Sequence, residues 1–382
     1  MKHEISAEWL TIDKVGEILR EHAELSLSAD ARNRIETCRN YLDNKMETQK
    51  EPIYGITTGF GSLCNISIDA TQLRQLQKNL VMSHSCGVGE RVPDEIVRLM
   101  LLLKAQSLSY GNSGVQLVTV QRLLDFFNND ILPVVYQQGS LGASGDLAPL
   151  ANMSLPLLGL GMVSHKGELR PAADVLAEMG WEPIELQSKE GLALLNGTQF
   201  MSAYGVWSLL NAKRLSKLAD KIAAMNAAAT QTALEAVTEA GSTYDEITSI
   251  PQEVMDAAKE MGGTLEEMYT VTFDGQPAGY AVKLTASGSQ GLIEMVIGVD
   301  AEQKITGISV VNHSETSGIG TKVCGNKPND DGVPVLDQFV GMSGAGTLKV
   351  GKTVTAISGA TVSTKGVTKG ANAALAAVAA LG

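Results

Sequence analysis

Four cysteines in 382 residues, Cys38, Cys64, Cys86 and Cys324, stand too far apart for a C-x-x-C pair, so neither a zinc site nor a disulfide framework is expected. Reduced thiols in a cytoplasmic protein are the simplest reading. Positive charge is also scarce. Lys and Arg number 30 against 42 Asp and Glu, a formal net charge of -12. That balance argues against nucleic acid or an anionic membrane as a partner, because both demand clustered cations. Long apolar runs are missing: Leu147 to Val163 is broken by Pro149, Asn152 and Pro156 and is too short for a membrane span. The polar opening MKHEISAEWL has no apolar stretch, so no signal peptide is expected. No internal repeat or long disordered tract is visible.

What is present suffices for two domains with a core each, at 44% hydrophobic residues. Residue usage changes midway. Arg214 is the last arginine, and from residue 235 onward there are 17 acidic and 9 basic residues. We therefore expect a first domain over residues 1–235 and a second over 236–382. The first is mainly helical. Helices are expected to open at Thr11 (Val15, Ile18, Leu19), at Ser28 (Ala31, Ile35, Cys38, Leu42), at Asp69 (Leu73, Leu76, Leu80) and after Pro93 with Asp94 and Glu95 in the first turn. The Ala- and Thr-rich stretch Ala223 to Gly241 reads as the end of a helix followed by a linker. Beyond it the period shifts to two. Met268 to Phe273, an Asp274-Gly275 turn and Tyr280 to Leu284 form a hairpin, Leu292 to Val299 and Ile305 to Val311 continue as strands, and a last helix runs from about Ser363 to Leu381. The second domain is thus α+β.

Two constellations carry chemistry. The first is Gly139-Ser140-Leu141-Gly142-Ala143-Ser144-Gly145-Asp146-Leu147-Ala148-Pro149-Leu150, a glycine-rich loop between helices. It reads either as an ordinary tight turn or as something more reactive. The unhindered amide nitrogen of Gly145 can attack the carbonyl of Ala143, and dehydration of the ring and of Ser144 then leaves an exocyclic methylene, the electrophile called MIO. Around it stand Tyr54-Gly55-Ile56-Thr57-Thr58-Gly59-Phe60-Gly61, Leu76-Gln77-Lys78-Asn79-Leu80-Val81-Met82-Ser83-His84 and Leu194-Leu195-Asn196-Gly197-Thr198-Gln199. With these four stretches in order, the region resembles the front half of the histidine, phenylalanine and tyrosine ammonia-lyases.

The resemblance implies an MIO built from Ala143, Ser144 and Gly145, and Tyr54 as the base that removes the β-proton. His84 would place an amino acid substrate and Asn196 would hydrogen-bond the MIO or the amino acid. A tyrosine with an ordinary pKa of about 10 needs donors or positive charge nearby for that role. The family's later half, with its carboxylate-binding arginine and the helical bundle that assembles a homo-oligomer with active sites between subunits, is not recognisable beyond about residue 230. Asn152 stands where the family commonly has histidine, and Lys104 and Gln106 replace a basic and polar pairing. Without a carboxylate clamp, weak or no ammonia-lyase activity is expected unless a partner chain completes the site.

The second constellation is Ser358-Gly359-Ala360-Thr361-Val362-Ser363-Thr364, small and hydroxyl-rich, just ahead of the last helix. In isolation it is a cap and turn. A helix N-terminus also favours a phosphate, through its free N–H groups and dipole. Together with Gly279-Tyr280-Ala281-Val282, Gly298-Val299-Asp300, Asn312-His313-Ser314-Glu315-Thr316-Ser317-Gly318-Ile319-Gly320 and Gln338-Phe339-Val340-Gly341, it resembles the covalent FMN-binding domain of the G and C subunits of Rnf and sodium-pumping NADH:quinone oxidoreductases. The resemblance implies that a flavin transferase esterifies FMN to Thr361, within a turn formed by Ser358, Gly359 and Ala360. Thr355 stands where that family has an aspartate, and Ser317 where proline is common.

The expectation is an ammonia-lyase-like protein fused to a covalent FMN electron-transfer domain with a redox partner protein. The rival is a flavin electron carrier on a catalytically inert lyase scaffold. An artificial join near residue 235 is a third reading, and it predicts an exposed apolar helical face. No metal ligand set is assigned. His3, His22 and His165 have no partners at useful spacing, and Trp9, Trp181 and Trp207 read as packing residues.

Overall fold

A computed structural model describes residues 1–49, 51–53, 55–58, 68–69, 72–141 and 145–382. The chain divides into two compact units, Met1–Ser216 and Lys217–Gly382. In the first, strands β1 (Lys2–Ile5) and β2 (Glu24–Leu27) pair in parallel around helix α1 (Ile12–Arg20), and α2 (Ala29–Thr48) follows. Then come α3 (Leu73–His84), β3 (Val88–Arg91), α4 (Asp94–Ser109), α5 (Leu117–Asn128), β4 (Leu132–Pro133), β5 (Tyr136–Gln138) and α6 (Leu147–Ser154). The unit continues through β6 (Met162–His165), β7 (Glu168–Pro171), α7 (Ala172–Glu178) and α8 (Glu190–Leu195). Helix α9 (Gln199–Val237) carries the chain across the division.

The predicted helix starts hold at three places for the reasons that suggested them. Thr11 Oγ1 accepts the N–H of Lys14 at 3.2 Å and Ser28 Oγ that of Ala31 at 3.1 Å, each satisfying a donor that the first turn leaves unpaired. Pro93 precedes a first turn that carries Asp94 and Glu95, where acids meet the helix dipole. The start at Asp69 is corrected: α3 begins at Leu73, with Gln72 in the cap position and no side-chain cap hydrogen bond. Helix α4 forms the centre of this unit. Ile96, Leu99, Met100, Leu101, Leu102 and Ala105 are all at most 1% exposed, and a helix apolar all round must be covered all round. The short strands were not anticipated, because two- to four-residue pairings carry almost no periodic signal.

In the second unit, β8 (Thr243–Glu246), β9 (Gly263–Phe273), β10 (Gln276–Ser287), β11 (Leu292–Asp300) and β12 (Ile305–His313) make one antiparallel sheet in the order β12-β11-β10-β9-β8. Helices α10 (Gln252–Glu260), α11 (Gly320–Cys324) and α12 (Thr361–Leu381) complete it. The hairpin turn lies where the sequence puts it. Asp274 and Gly275 have φ of 47° and 75°, the positive values that a two-residue turn matching strand twist requires. Alternation then sorts the sheet's residues. Val282, Leu284, Met295 and Ile297 face α10 and α12, whereas Val271, Ala281 and Val296 are covered by Ala233, Leu234 and Val237 of α9. The stretch expected to hold a helix end and then a linker is helical to Val237, because these three apolar residues bury on the sheet. For the same reason the compact units divide at Ser216, nearer the N-terminus than the change in composition at 235.

Candidate functional site

Tyr54, Ala143 and Ser144 lie outside the described residues; Gly145, His84 and Asn196 lie within them. Gly145 leads into α6 with φ of 114°, a backbone state open essentially to glycine alone. It packs directly on Gly197: a Cβ at Gly145 would sit 2.6 Å from the Gly197 oxygen and 2.9 Å from its nitrogen. The neighbouring Asp146 N–H donates to Gly197 O at 2.8 Å. Asp146 is 5% exposed, and its Oδ2 accepts the N–H of Met201 at 3.0 Å, supplying a carboxylate to the first turn of α9. The Gly145 and Asn196 regions, 51 residues apart in sequence, are thus brought into contact.

Asn196 ends α8 in an extended conformation, with its side chain on an exposed residue and its carbonyl oxygen accepting from Lys104 Nζ at 3.0 Å. His84 closes α3. Its Nδ1 lies 2.9 Å from Leu80 O, which can only accept, so a hydrogen bond there takes its proton from Nδ1. Among the described residues no hydrogen bond joins His84 to Asn196 or Gly145. Helices α3, α6 and α8, which carry these residues, do pack on one another, and Gly191 N–H of α8 donates to Gln77 Oε1 of α3 at 2.9 Å. Two buried side-chain atoms on these helices, Gln77 Nε2 of α3 and Asn152 Oδ1 of α6, have no hydrogen-bond partner among the described residues, nor does Gln199 Oε1 at the start of α9.

In the second unit the predicted acceptor turn is held from three directions. Gln338 grips its approach with both ends of the carboxamide, Nε2 donating to Thr355 O at 3.0 Å and Oε1 accepting Thr355 N–H at 2.7 Å. Asp330 Oδ1 accepts the N–H of Ser358 at 3.0 Å. Glu315, 7% exposed, accepts from Ser363 Oγ and from the N–H groups of Ser289 at 2.8 Å and Gln290 at 3.1 Å. Burial pushes its carboxyl up, but the hydrogen bonds from Ser363, Gln290 and Ser289 outweigh that and hold it below the usual carboxylate value.

Thr361 is the first residue of α12 and is exposed, as are Ser358 and Gly359, whereas Ala360 is buried. No side chain caps this 21-residue helix. An exposed hydroxyl beside uncapped N–H groups at the positive end of a helix fits a phosphoester of FMN. The sequence motifs contain Glu315, Gln338 and Asp146 but suggest no role for them, and Asp330 lies outside them. Polar residues flanking glycine-rich turns were the available signal.

Cys324 follows from the same neighbourhood. Burial, with Glu315 nearby, pushes its thiol up to about 11, whereas Cys86 is exposed. At pH 8 iodoacetamide is expected to label Cys86 at least tenfold faster than Cys324, because the thiolate is the nucleophile. Peptide mapping after timed alkylation checks this, and equal rates would contradict the burial argument.

The sequence profile described as aromatic amino acid lyase matches residues 10–274, and that described as FMN-binding domain matches residues 288–376. The chain is 51% identical over 216 residues to the histidine ammonia-lyase of Deinococcus radiodurans, covering 56% of this chain and 41% of that one. It is 40% identical over 267 residues to that of Shouchella clausii, covering 70% and 52%. Among solved structures, histidine ammonia-lyase from Trypanosoma cruzi aligns with a TM-score of 0.55 at 38% identity over 60% of this chain and 44% of its own. The chain spans about half or less of the length of these relatives. The first profile's reach to residue 274 overlaps the sheet, yet β9 pairs along its length with β10, so strands β8 to β10 belong physically with the second unit.

Proposed function

Because the chain belongs to the aromatic amino acid lyase family and closes with an FMN-binding domain, we propose that it works as a flavoprotein carrying FMN covalently on Thr361, joined to a lyase-derived unit. The observation that carries this reading is the exposed Thr361 at the uncapped N-terminus of α12, in a turn fixed by Gln338, Asp330 and Glu315. Bound there, FMN would supply one- or two-electron transfer. The chain's own residues hold the turn rigid for a flavin transferase, offer N–H groups to the phosphate and keep the competing hydroxyl of Ser363 engaged with Glu315.

Elimination of ammonia from histidine or an aromatic amino acid is the second reading, favoured by the packing of Gly145 on Gly197. In it Tyr54 takes the β-proton, His84 helps to place the amino acid, Asn196 hydrogen-bonds the MIO or the amino acid, and Ala143, Ser144 and Gly145 form the MIO. The carboxylate-binding half of the family's site is not recognisable in this sequence, so in this reading turnover would need a partner. Exposed Met201, Leu209, Leu215, Leu218, Ile222 and Met225 along α9 are in keeping with further copies of the chain filling that role. An apolar helical face was also the mark of an artificial join, and the two accounts part on whether the chain folds and assembles.

Intact-protein mass spectrometry after co-expression with a flavin transferase tests both readings. Gain of one FMN phosphoester supports the flavoprotein, and loss of two waters supports the cyclised loop. An unchanged mass sinks both.

A further inference from the structure

On the face of the second unit's sheet that meets α9 lies a charged cluster for which neither the flavin nor the lyase has a use. Side chains alternate along a strand, so Lys283 shares the face of Ala281 in β10. The pairings of Lys283 with Glu267, of Ala281 with Tyr269 and of Tyr269 with Glu246 bring those residues to the same face. Lys283 is 7% exposed. Its Nζ donates to Glu267 Oε1 at 2.8 Å and lies 3.3 Å from Glu294 Oε1 of β11. The other oxygen of Glu267 accepts from the Tyr269 hydroxyl. Burial works against the Glu267 charge, but these hydrogen bonds hold its carboxyl below the usual value. A buried ion pair is weak support for a fold, because desolvation cancels much of its attraction.

Helix α9 leaves space above this cluster. Positions 223, 227, 230, 234 and 237 follow the three- and four-residue spacing of one helix face. Leu234 and Val237 fill that face against Val271, Ala281 and Val296, but Ala223 and Ala227 are too short to continue the seal. A cleft of about 440 Å³ results. Small-molecule sites span roughly 300–1,000 Å³. Thr230, Tyr244, Glu246, Glu267, Tyr269 and Lys283 line it, all within the second unit. Thr230 is 6% exposed, and its hydroxyl has no hydrogen-bond partner among the described residues. A hydroxyl buried without a partner is costly, and a ligand in the cleft would supply one.

Charge decides what that ligand is. Glu246, Glu267 and Glu294 set three negative charges against the single positive charge of Lys283, which two of them already engage. An anion is therefore repelled. Tyr244 and Tyr269 add aromatic rings, whose faces attract cations. A metal ion would have to displace the Lys283 ammonium from between Glu267 and Glu294, and the cleft is many times its size. We propose that this cleft binds a small organic amine as its ammonium ion, with N–H groups donated to Glu246 and to the free Thr230 hydroxyl. The inference is independent of the flavin and lyase readings.

Isothermal titration of the full-length protein with putrescine in low-salt buffer tests it. Saturable binding at one site per chain is expected, undisturbed by an equal concentration of sodium chloride. Glu246→Gln removes the exposed carboxylate and is expected to weaken binding about tenfold or more, and Thr230→Val, which keeps the shape and loses only the hydroxyl, about threefold or more. Ala227→Phe fills the cleft from an exposed helix position and is expected to abolish binding. Glu246 and Ala227 are exposed, so both variants should keep the wild-type melting temperature; should Ala227→Phe not fold, Glu246→Gln carries the test. Absence of putrescine binding to wild type overturns the proposal. Unchanged affinity in Glu246→Gln, Thr230→Val or a folded Ala227→Phe overturns it too, because the amine then sits elsewhere. Displacement by equimolar sodium would mark a site for an inorganic cation and count against it equally.

Discussion

Thr361→Ala is expected to abolish covalent flavin entirely while leaving the fold of the second unit intact. The turn offers several hydroxyls, and the structure ranks them. Ser363 is 1% exposed with Oγ donating to Glu315, and Thr364 is fully buried with Oγ1 donating to Ala360 O at 3.1 Å. Ser358 is exposed but lies ahead of the helix, with its N–H held by Asp330. Thr361 alone joins an exposed hydroxyl to the first helical position, where N–H groups face outward. Alanine is a good helix former and removes no packing there, so stability should change by no more than about 0.5 kcal/mol. The measurement is flavin fluorescence surviving denaturation, together with intact mass, for wild type, Thr361→Ala and Ser358→Ala. Stoichiometric covalent flavin in Thr361→Ala would refute the assignment, and loss in Ser358→Ala alone would move it to the serine.

How far the sequence could foretell this arrangement depended on whether each feature was local. Caps at Thr11 and Ser28, the Asp274-Gly275 turn and the start of α12 are decided within four residues, and those were legible. The true lengths of β9 and β10 were not, since Gly263 to Glu267 alternates poorly until Ala373 and Leu284 are seen packed against it. Where α9 gives way to a linker within Ala223 to Gly241 was not legible, because Ala233, Leu234 and Val237 are buried by strand residues 34 to 63 positions away. The site shows the same division. Gly145 and Asn196 could be named from their motifs, but Lys104 could not be given a partner, because its bond to Asn196 O closes a gap of 92 residues. Glu315 and Asp330 likewise act across 48 and 28 residues.

Glu190→Ala is expected to destabilise the first unit by about 3–5 kcal/mol, a large part of the 5–15 kcal/mol that holds a typical domain. The carboxylate is fully buried at the start of α8 and accepts four hydrogen bonds. They come from Gln116 N–H at 2.8 Å, Gln116 Nε2 at 2.6 Å, Thr119 Oγ1 at 2.6 Å and Gln187 N–H at 2.7 Å. Each bond to a charged acceptor contributes roughly 1.5–3 kcal/mol, and removing the acceptor strands the donors together rather than one at a time. Glu190→Gln keeps one acceptor oxygen but turns an NH2 towards donors, so a smaller loss of about 1–3 kcal/mol is expected. Because α8 leads to Asn196, the same change loosens the turn that meets Gly145. All three tryptophans, Trp9, Trp181 and Trp207, lie before Ser216, so their fluorescence in a urea titration reports the first unit alone. The core of the second unit is separate, and its unfolding, followed through the covalent flavin, should keep its midpoint. A tryptophan midpoint that stays put in Glu190→Ala would mean that water replaces the carboxylate at no cost, and that the start of α8 is fixed by its apolar contacts instead.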